Sequence, residues 1–368
     1  MKFTCEKAAL YAAVSTAQRA VSAKSSIPAL EGLLIEAGEA LTVSGYNMST
    51  GIRSTVEADI IEQGSLVLNS RLFGDIVRRL PEDTLCFDCD SKLLVTIHCG
   101  DAHFEIPGMN ANDFPELPEV EENYSFAITQ TVLRSMLNET GFAVSTNEAR
   151  PVHTGSLFEI DDSGLTVVSV DGFRLALRRE PLDQIEGGDF RFVAPGSALN
   201  EVEKICGETD DFAFVTLGDR HILFEVGETE LICRRLEGEF LDYKNAIPRN
   251  NPIHIIAETR DLIDSIDRVS VVISEKLKSP VHCVFGADKV SFSARTAMGD
   301  ANDSCPISGN GGELEIGFNN RYLLDALRYA PADTVEIELN NGISPCIIVP
   351  VEGEEKFLYM VLPVRLKA

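Results

Sequence analysis

Positive charge is scarce in this sequence: 32 Lys and Arg stand against 58 Asp and Glu, a formal net charge of −26. Phosphate affinity normally comes from clustered Lys and Arg, so bulk charge argues against nucleic acid, and any DNA contact requires basic side chains gathered on one face. Long hydrophobic runs are missing as well. No stretch approaches the roughly 18 to 20 apolar residues of a membrane helix, and Met1-Lys2-Phe3-Thr4-Cys5-Glu6 contains no signal-peptide core, so a cytoplasmic protein is expected. There is no low-complexity tract, and 44% hydrophobic with 24% charged residues reads as folded throughout. The nine cysteines are odd in number, scattered and without secretory context, which predicts reduced thiols packed as small apolar groups.

Signatures of catalysis and metal binding are also lacking. No GxSxG, HExxH or calcium-loop pattern occurs, and the six histidines, at 98, 103, 153, 221, 254 and 282, show no ligand spacing. Cys86-Phe87-Asp88-Cys89, with His98, Cys99 and His103 nearby, invites a zinc or redox reading. Residues three apart in a strand point to opposite faces, however, no second CxxC follows, and a thioredoxin-like motif would open a helix. Ser308-Gly309-Asn310-Gly311-Gly312 lacks the Lys-Ser or Lys-Thr of a phosphate loop and reads as a loop, and Asp161-Asp162-Ser163-Gly164 as a hairpin turn. No metal, no cofactor and no catalytic site are expected. The rival is a hydrolase drawing on two of the many carboxylates.

What the chain does contain is one unit three times over. Ile27-Pro28-Ala29-Leu30-Glu31-Gly32-Leu33-Leu34-Ile35 followed by Leu41-Thr42-Val43-Ser44-Gly45 recurs as Arg150-Pro151-Val152-His153-Thr154-Gly155-Ser156-Leu157-Phe158 followed by Leu165-Thr166-Val167-Val168-Ser169. A third copy begins Ser279-Pro280-Val281-His282-Cys283-Val284-Phe285. The marker prolines 28, 151 and 280 are spaced by 123 and 129 residues, and the apolar steps Phe73 to Ile76, Leu199 to Val202 and Leu324 to Leu327 by 126 and 125. Two independent markers sharing one period make each third a domain. Before each proline lies a stretch with helical apolar spacing, Ala8 to Val21, Val132 to Val144 and Leu262 to Val272, and after it come alternating strands. The second helix of each unit leads into hairpin patterns, Thr84 to Ile106, Phe212 to Leu236 and Thr334 to Leu366.

The expected fold class is therefore α+β: three repeated domains, 1–120, 121–250 and 251–368, each with two helices packed on antiparallel sheets. The proline-punctuated segments 112–118 and 246–252 suit linkers. Threefold repetition weighs against the hydrolase, because one active site gives no reason to triplicate a unit. The repeat also shows where positive charge could gather. Arg71 and Arg78 lie two helical turns apart with Arg79 beside them, and Arg321 and Arg328 repeat the spacing. The middle unit has Gly196 and Glu203 at those places and keeps only Lys204, so its basic face is weak.

Over its whole length the sequence resembles the bacterial beta sliding clamp, the beta subunit of DNA polymerase III. The stretches that carry the resemblance are Phe142-Ala143-Val144-Ser145-Thr146-Asn147-Glu148-Ala149-Arg150-Pro151, Asp171-Gly172-Phe173-Arg174-Leu175-Ala176, Leu236-Glu237-Gly238-Glu239-Phe240-Leu241-Asp242-Tyr243 and Glu315-Ile316-Gly317-Phe318-Asn319. The resemblance implies a head-to-tail homodimer closing as a ring of six domains around double-stranded DNA, with the helices lining the hole. Near-identical repeats supply the regular rotation that such closure needs. It implies sequence-independent contacts to phosphates from Arg19, Lys24, Arg71, Arg78, Arg79, Arg150, Lys204, Arg321 and Arg328, with processivity coming from topology. It also implies a cleft for short apolar peptides of the replicative polymerase, the clamp loader, other polymerases and repair proteins. That cleft would be formed by Val170, Gly172, Phe173, Arg174, Leu175, Leu241, Ala246, Ile343, Pro345, Met360, Leu362, Pro363, Val364 and Arg365. The dimer contact matches Phe104 and Ile106 on an edge strand of the first unit and Val271 and Val272 of the third. Departures from the family pattern are Leu72 and Ser197, where many clamps carry Lys, and Phe173, Leu241 and Asn245, where His, Pro and a basic residue are frequent. A clamp-like adaptor that never encircles DNA is the second rival, separated from the first reading by ring closure.

Overall fold

The computed structural model describes residues 1–182, 184–274, 279–352 and 356–366. Two strand-to-helix steps fall in each third of the chain. The helices of these steps are α1 (Lys7–Ala17), α2 (Ser70–Arg79), α3 (Gln130–Gly141), α4 (Gly196–Ile205), α5 (Thr259–Ser270) and α6 (Asn320–Arg328). α2 begins where the Asn69 side chain accepts a hydrogen bond from Leu72 N at 2.9 Å, and it buries Phe73, Ile76 and Val77, the i, i+3, i+4 stripe of a helix with one face in a core. It stops at Leu80, before Pro81, which cannot continue a helix. α6 repeats this design: Asn319 caps Arg321 N and Tyr322 N, and Leu323, Leu324 and Leu327 face inward.

α1 ends earlier than its apolar spacing predicts, tightening into a 3-10 turn at Gln18–Ala20. There Gln18 Nε2 donates to Ser70 O at 2.6 Å, and a Cβ at Gly74 would stand 2.3 Å from that nitrogen, so glycine on α2 makes room for the helix crossing. After each second helix the expected hairpin is a three-stranded antiparallel meander, for example Thr84–Cys89, Leu94–Cys99 and Ala102–Pro107. The Asp161 turn closes as expected, with Asp161 Oδ1 accepting from Ser163 N at 2.8 Å and Gly164 at φ +117°.

The chain divides into two compact units whose borders run through the middle third. One holds Met1–Arg134, Asn200–Arg235 and the short strand Gln184–Glu186; the other holds Ser135–Leu182, Asp189–Leu199 and Leu236–Ala368. The cause is strand pairing. In the first unit Thr50–Val56 pairs with Thr229–Arg234, joining strands of the first and middle thirds in one 10-stranded sheet beside a 5-stranded sheet. In the second unit Arg174–Glu180 pairs with Phe357–Val361, joining strands of the middle and last thirds in a 9-stranded sheet beside a 4-stranded one. Every pairing is antiparallel among the described residues.

The core of the first unit gathers Leu10 and Val14 of α1, Phe73 and Val77 of α2, and strand residues such as Phe3, Ile35 and Phe87. In the second unit the 9-stranded sheet is apolar on both faces. Along Phe357–Val361, Phe357, Tyr359 and Val361 enter the cluster beneath α5 and α6, while Leu358 and Met360 enter a separate cluster on the other face. All nine cysteines are unbridged, and only Cys86 is exposed. Cys86 and Cys89 do lie on opposite faces of their strand. No helix among the described residues is long and apolar enough to cross a membrane.

Candidate peptide cleft and nucleic-acid interface

The positions expected in the cleft converge at the ends of three neighbouring strands in the second unit. Phe173 leads into Arg174–Glu180, Leu362 follows Phe357–Val361, and Pro345 precedes Cys346–Pro350. Register brings them side by side: Arg174 faces Val361, Cys346 faces Val361, and Leu362 N donates to Phe173 O at 2.8 Å. One step inward, Val170 faces Leu175, Leu175 faces Met360 and Met360 faces Ile347. These four form an apolar row across four strands, all buried in the outer cluster. Leu236, Phe240, Tyr243 and Ile247, near the end of the middle third, pack in the same cluster.

Around this buried floor the rim is exposed and apolar. Phe173 is 58% exposed and Ile343 80%, and Leu241, Val364 and Leu366 are exposed too. Gly172, at φ +91°, makes the turn that presents Phe173, and Asp171 Oδ1 holds that turn by accepting from Phe173 N and Arg174 N. The tail is laid along Leu314–Phe318, with Val364 N donating to Gly317 O at 2.8 Å. A Cβ at Gly317 would stand 2.8 Å from Val364 O, so only glycine lets the tail approach. A Cβ at Gly342 would stand 2.6 Å from Glu315 O, which puts the loop bearing Ile343 against the same strand. Ala246 ends the one-turn helix Tyr243–Ala246 and is exposed, as are Gly172 and Arg365; Pro363 is half-buried.

Arg174 is built into the wall behind the rim. Its guanidinium pairs with Asp171 at 2.9 Å and with Asp325 of α6 at 2.5 Å, and lies 4.6 Å from the ring centre of Tyr322 and 5.4 Å from that of Phe142. Phe173 stacks on Tyr322 at 5.9 Å. Two carboxylates and two ring faces around one planar cation fix its orientation.

Three basic residues of the first unit, Arg71, Arg78 and Arg79, line a groove of about 840 Å³ between α1 and α2 together with Tyr11, Ser15 and Gln18. Asp75 sits among them. Its carboxylate pairs with Arg78 and Arg79 at 2.8 Å, and the hydrogen bond from Arg79, aided by the nearby charges of Arg79, Arg78 and Arg71, holds its carboxyl below the ordinary range. Arg19 lies 3.8 Å from Glu201, which also takes Lys204 at 2.7 Å, so the one basic residue retained on α4 is neutralised locally. On α6, Arg328 is held by Asp267 of α5 at 2.7 Å. Lys24, Arg71, Arg150 and Arg321 are exposed and form no ion pair within the described residues.

Three models of the DNA polymerase III beta subunit match the chain end to end: the N-terminal domain over residues 1–118, the central domain over 127–242 and the C-terminal domain over 244–365. The chain belongs to the DNA polymerase III beta subunit family. Among its curated relatives, the beta sliding clamp of Synechocystis sp. (strain PCC 6803) is 32% identical over 396 residues, covering 100% of both chains. That of Bacillus subtilis (strain 168) is 30% identical over 377 residues, covering 99% of this chain and 100% of the other. The crystal structure of the DNA polymerase sliding clamp from Bacillus subtilis matches with a TM-score of 0.94 at 29% identity, covering 100% of each chain. The sequence-level resemblance and the reading of three repeated clamp domains built from helices and sheets hold.

The positions expected at a dimer contact have mixed settings. Ala102–Pro107 is an edge strand of the 5-stranded sheet, open on one side; Ile106 is turned into the core and Phe104 packs partly against it, so at Ile106 the edge offers backbone. In the second unit Val271 is 83% exposed just past α5, while Val272 is partly buried against the core. Sequence reasoning overlooked Ile347, which completes the buried row. Within the unbroken apolar run Cys346-Ile347-Ile348-Val349 nothing marks which face Ile347 takes. It also gave no warning that Asp75, Glu201 and Asp267 neutralise part of the basic set.

Proposed function

We propose that this chain acts as a DNA sliding clamp: two copies close head to tail into a ring around duplex DNA, confer processivity on the replicative polymerase, and recruit partners through the cleft of the second unit. The observation that carries this reading is the end-to-end succession of three clamp-domain matches on a chain whose strand-to-helix unit recurs three times. Such a molecule needs no catalytic site, because its work is topological. It is a replication protein of the bacterial cytoplasm, and the boundaries near residues 120 and 250 are those of its three domains.

A net charge of −26 is compatible with that task if DNA is held by enclosure and touched lightly. Lys24, Arg71, Arg150 and Arg321 are the side chains available for phosphates; Arg19, Arg78, Arg79, Lys204 and Arg328 share their charge with carboxylates and contribute less. Weak, exchanging contacts favour sliding. In the cleft, Phe173, Leu241, Ile343, Val364 and their neighbours form an exposed apolar rim over a buried floor, the surface an apolar peptide anchor requires. Phe104 and Ile106 on the open edge strand of one copy would meet Val271 and Val272 of the other.

The test is retention on DNA. The protein is loaded by a matching clamp loader onto nicked circular DNA, which is then linearised. Loss on linearisation alone supports encirclement. Equal retention on circle and line would replace the ring by ordinary surface binding, and failure to load would favour the adaptor.

A further inference from the structure

One strand over from Ile347 of the cleft floor, strand register assembles a cluster that sequence spacing hides. His254 on Ile253–Glu258 stands directly opposite Glu338 on Thr334–Leu339, and Glu336, two residues before Glu338, shares its face. One ligand atom from each of the three lies within 4.8 Å of the other two, and His254 Nδ1 is 2.7 Å from Glu336 Oε1. Two carboxylates on one strand face repel each other unless a cation sits between them.

A second observation points the same way. Asn251 is only 6% exposed; its Nδ2 donates to Glu338 Oε2 at 3.0 Å and to Pro248 O at 3.4 Å, while its Oδ1 is buried with no hydrogen-bond partner. The other end of the same amide faces the Glu338 carboxylate. A buried acceptor without a donor calls for an explanation, and a bound cation or a water on that cation provides one.

The frame is also fixed in advance. Asn310 Oδ1 accepts from His254 N at 2.7 Å, Asn310 N donates to His254 O at 3.2 Å, and Asn310 Nδ2 donates to Pro252 O at 2.9 Å. A Cβ at Gly309 would stand 2.0 Å from His254 O, and its φ of +137° suits glycine, so the Ser308-Gly309-Asn310 segment clamps this strand closely.

We propose that His254, Glu336 and Glu338 bind a divalent transition-metal ion of the zinc class, with Asn251 positioning Glu338. One imidazole and two carboxylates supply mixed nitrogen and oxygen donors and two negative charges. This set suits Zn²⁺, or Co²⁺ as its spectroscopic stand-in, better than Mg²⁺ or Ca²⁺, which take oxygen ligands. Solvent access at the exposed imidazole leaves room for a water ligand.

The experiment is titration of the reduced full-length protein with Co²⁺, followed by visible absorption, and with Zn²⁺ by equilibrium dialysis. The expected result is one ion per chain with d–d bands and no thiolate charge-transfer band. Uptake should be lost in His254→Ala and Glu338→Gln and weakened about 10- to 100-fold in Asn251→Ala. His254 is exposed, so its variant should keep the wild-type circular dichroism; Glu336→Gln gives an independent ligand deletion. Uptake unchanged in His254→Ala and Glu336→Gln would overturn the proposal, as would uptake abolished by Cys86→Ser, which would move the ion to the exposed thiol.

Discussion

At about pH 8, iodoacetamide is expected to alkylate a single thiol of the native protein, that of Cys86. Cys5, Cys206, Cys233 and Cys346 are pushed up to about 12, in each case chiefly by burial, and the remaining thiols are also buried. Mass spectrometry after a short exposure reads this directly; two or more modified sites would contradict the packing. Arg174 makes the opposite point. Its side chain is largely buried between two carboxylates and two rings, and Arg174→Ala would leave Asp171 and Asp325 uncompensated, a loss of about 3–5 kcal/mol for a broken buried pair. Arg174→Lys keeps the charge without the fork and should fall between. A denaturation midpoint hardly moved by the alanine change would return Arg174 to the role of a surface contact. Peptide binding by Arg174 variants has to be read against that stability change.

On α2 the decisive residue is the acid among the bases. Asp75→Asn removes the partner of Arg78 and Arg79, so the salt dependence of DNA affinity should steepen by about one to two units of log–log slope, as two more phosphates are engaged. An unchanged slope would mean that this face does not touch DNA. The tail makes a second test at the same scale: deleting residues 362–368 strips Leu362 from Phe173 and Val364 from Gly317, and should abolish partner-peptide binding while sparing dimerisation. Lys367 and Ala368 in that segment lie outside the described residues. The helices were legible in the sequence because a 3.6-residue apolar period is local, and Asn69 and Asn319 mark starts that Pro81 and its like then limit. The pairing of Thr50–Val56 with Thr229–Arg234 was not legible, because nothing within either strand names a partner so distant in the chain. The same blindness hid Ile347 from the cleft, and His254 from Glu336 and Glu338. Spacing along the chain reveals ligands on one helix or one loop, while a cross-strand cluster depends on register alone.

At the scale of the whole molecule, two electrostatic terms should respond to salt with opposite sign. DNA contact through a few unpaired Lys and Arg releases counterions, so it weakens as salt rises. Association of two chains that each carry −26 works against mutual repulsion, and the screening length shortens from about 30 Å at 0.01 M to about 8 Å at 0.15 M. The contact proposed for the dimer sets the Phe104 side chain and the edge backbone at Ile106 against Val271 and Val272, and has little Coulombic attraction to lose. Sedimentation equilibrium between about 10 and 150 mM salt, the range over which that screening length changes, should therefore show the dimer tightening while DNA binding measured in parallel weakens. A dimer that loosens with salt would instead place complementary ion pairs at the interface and move the contact away from the edge strand Ala102–Pro107.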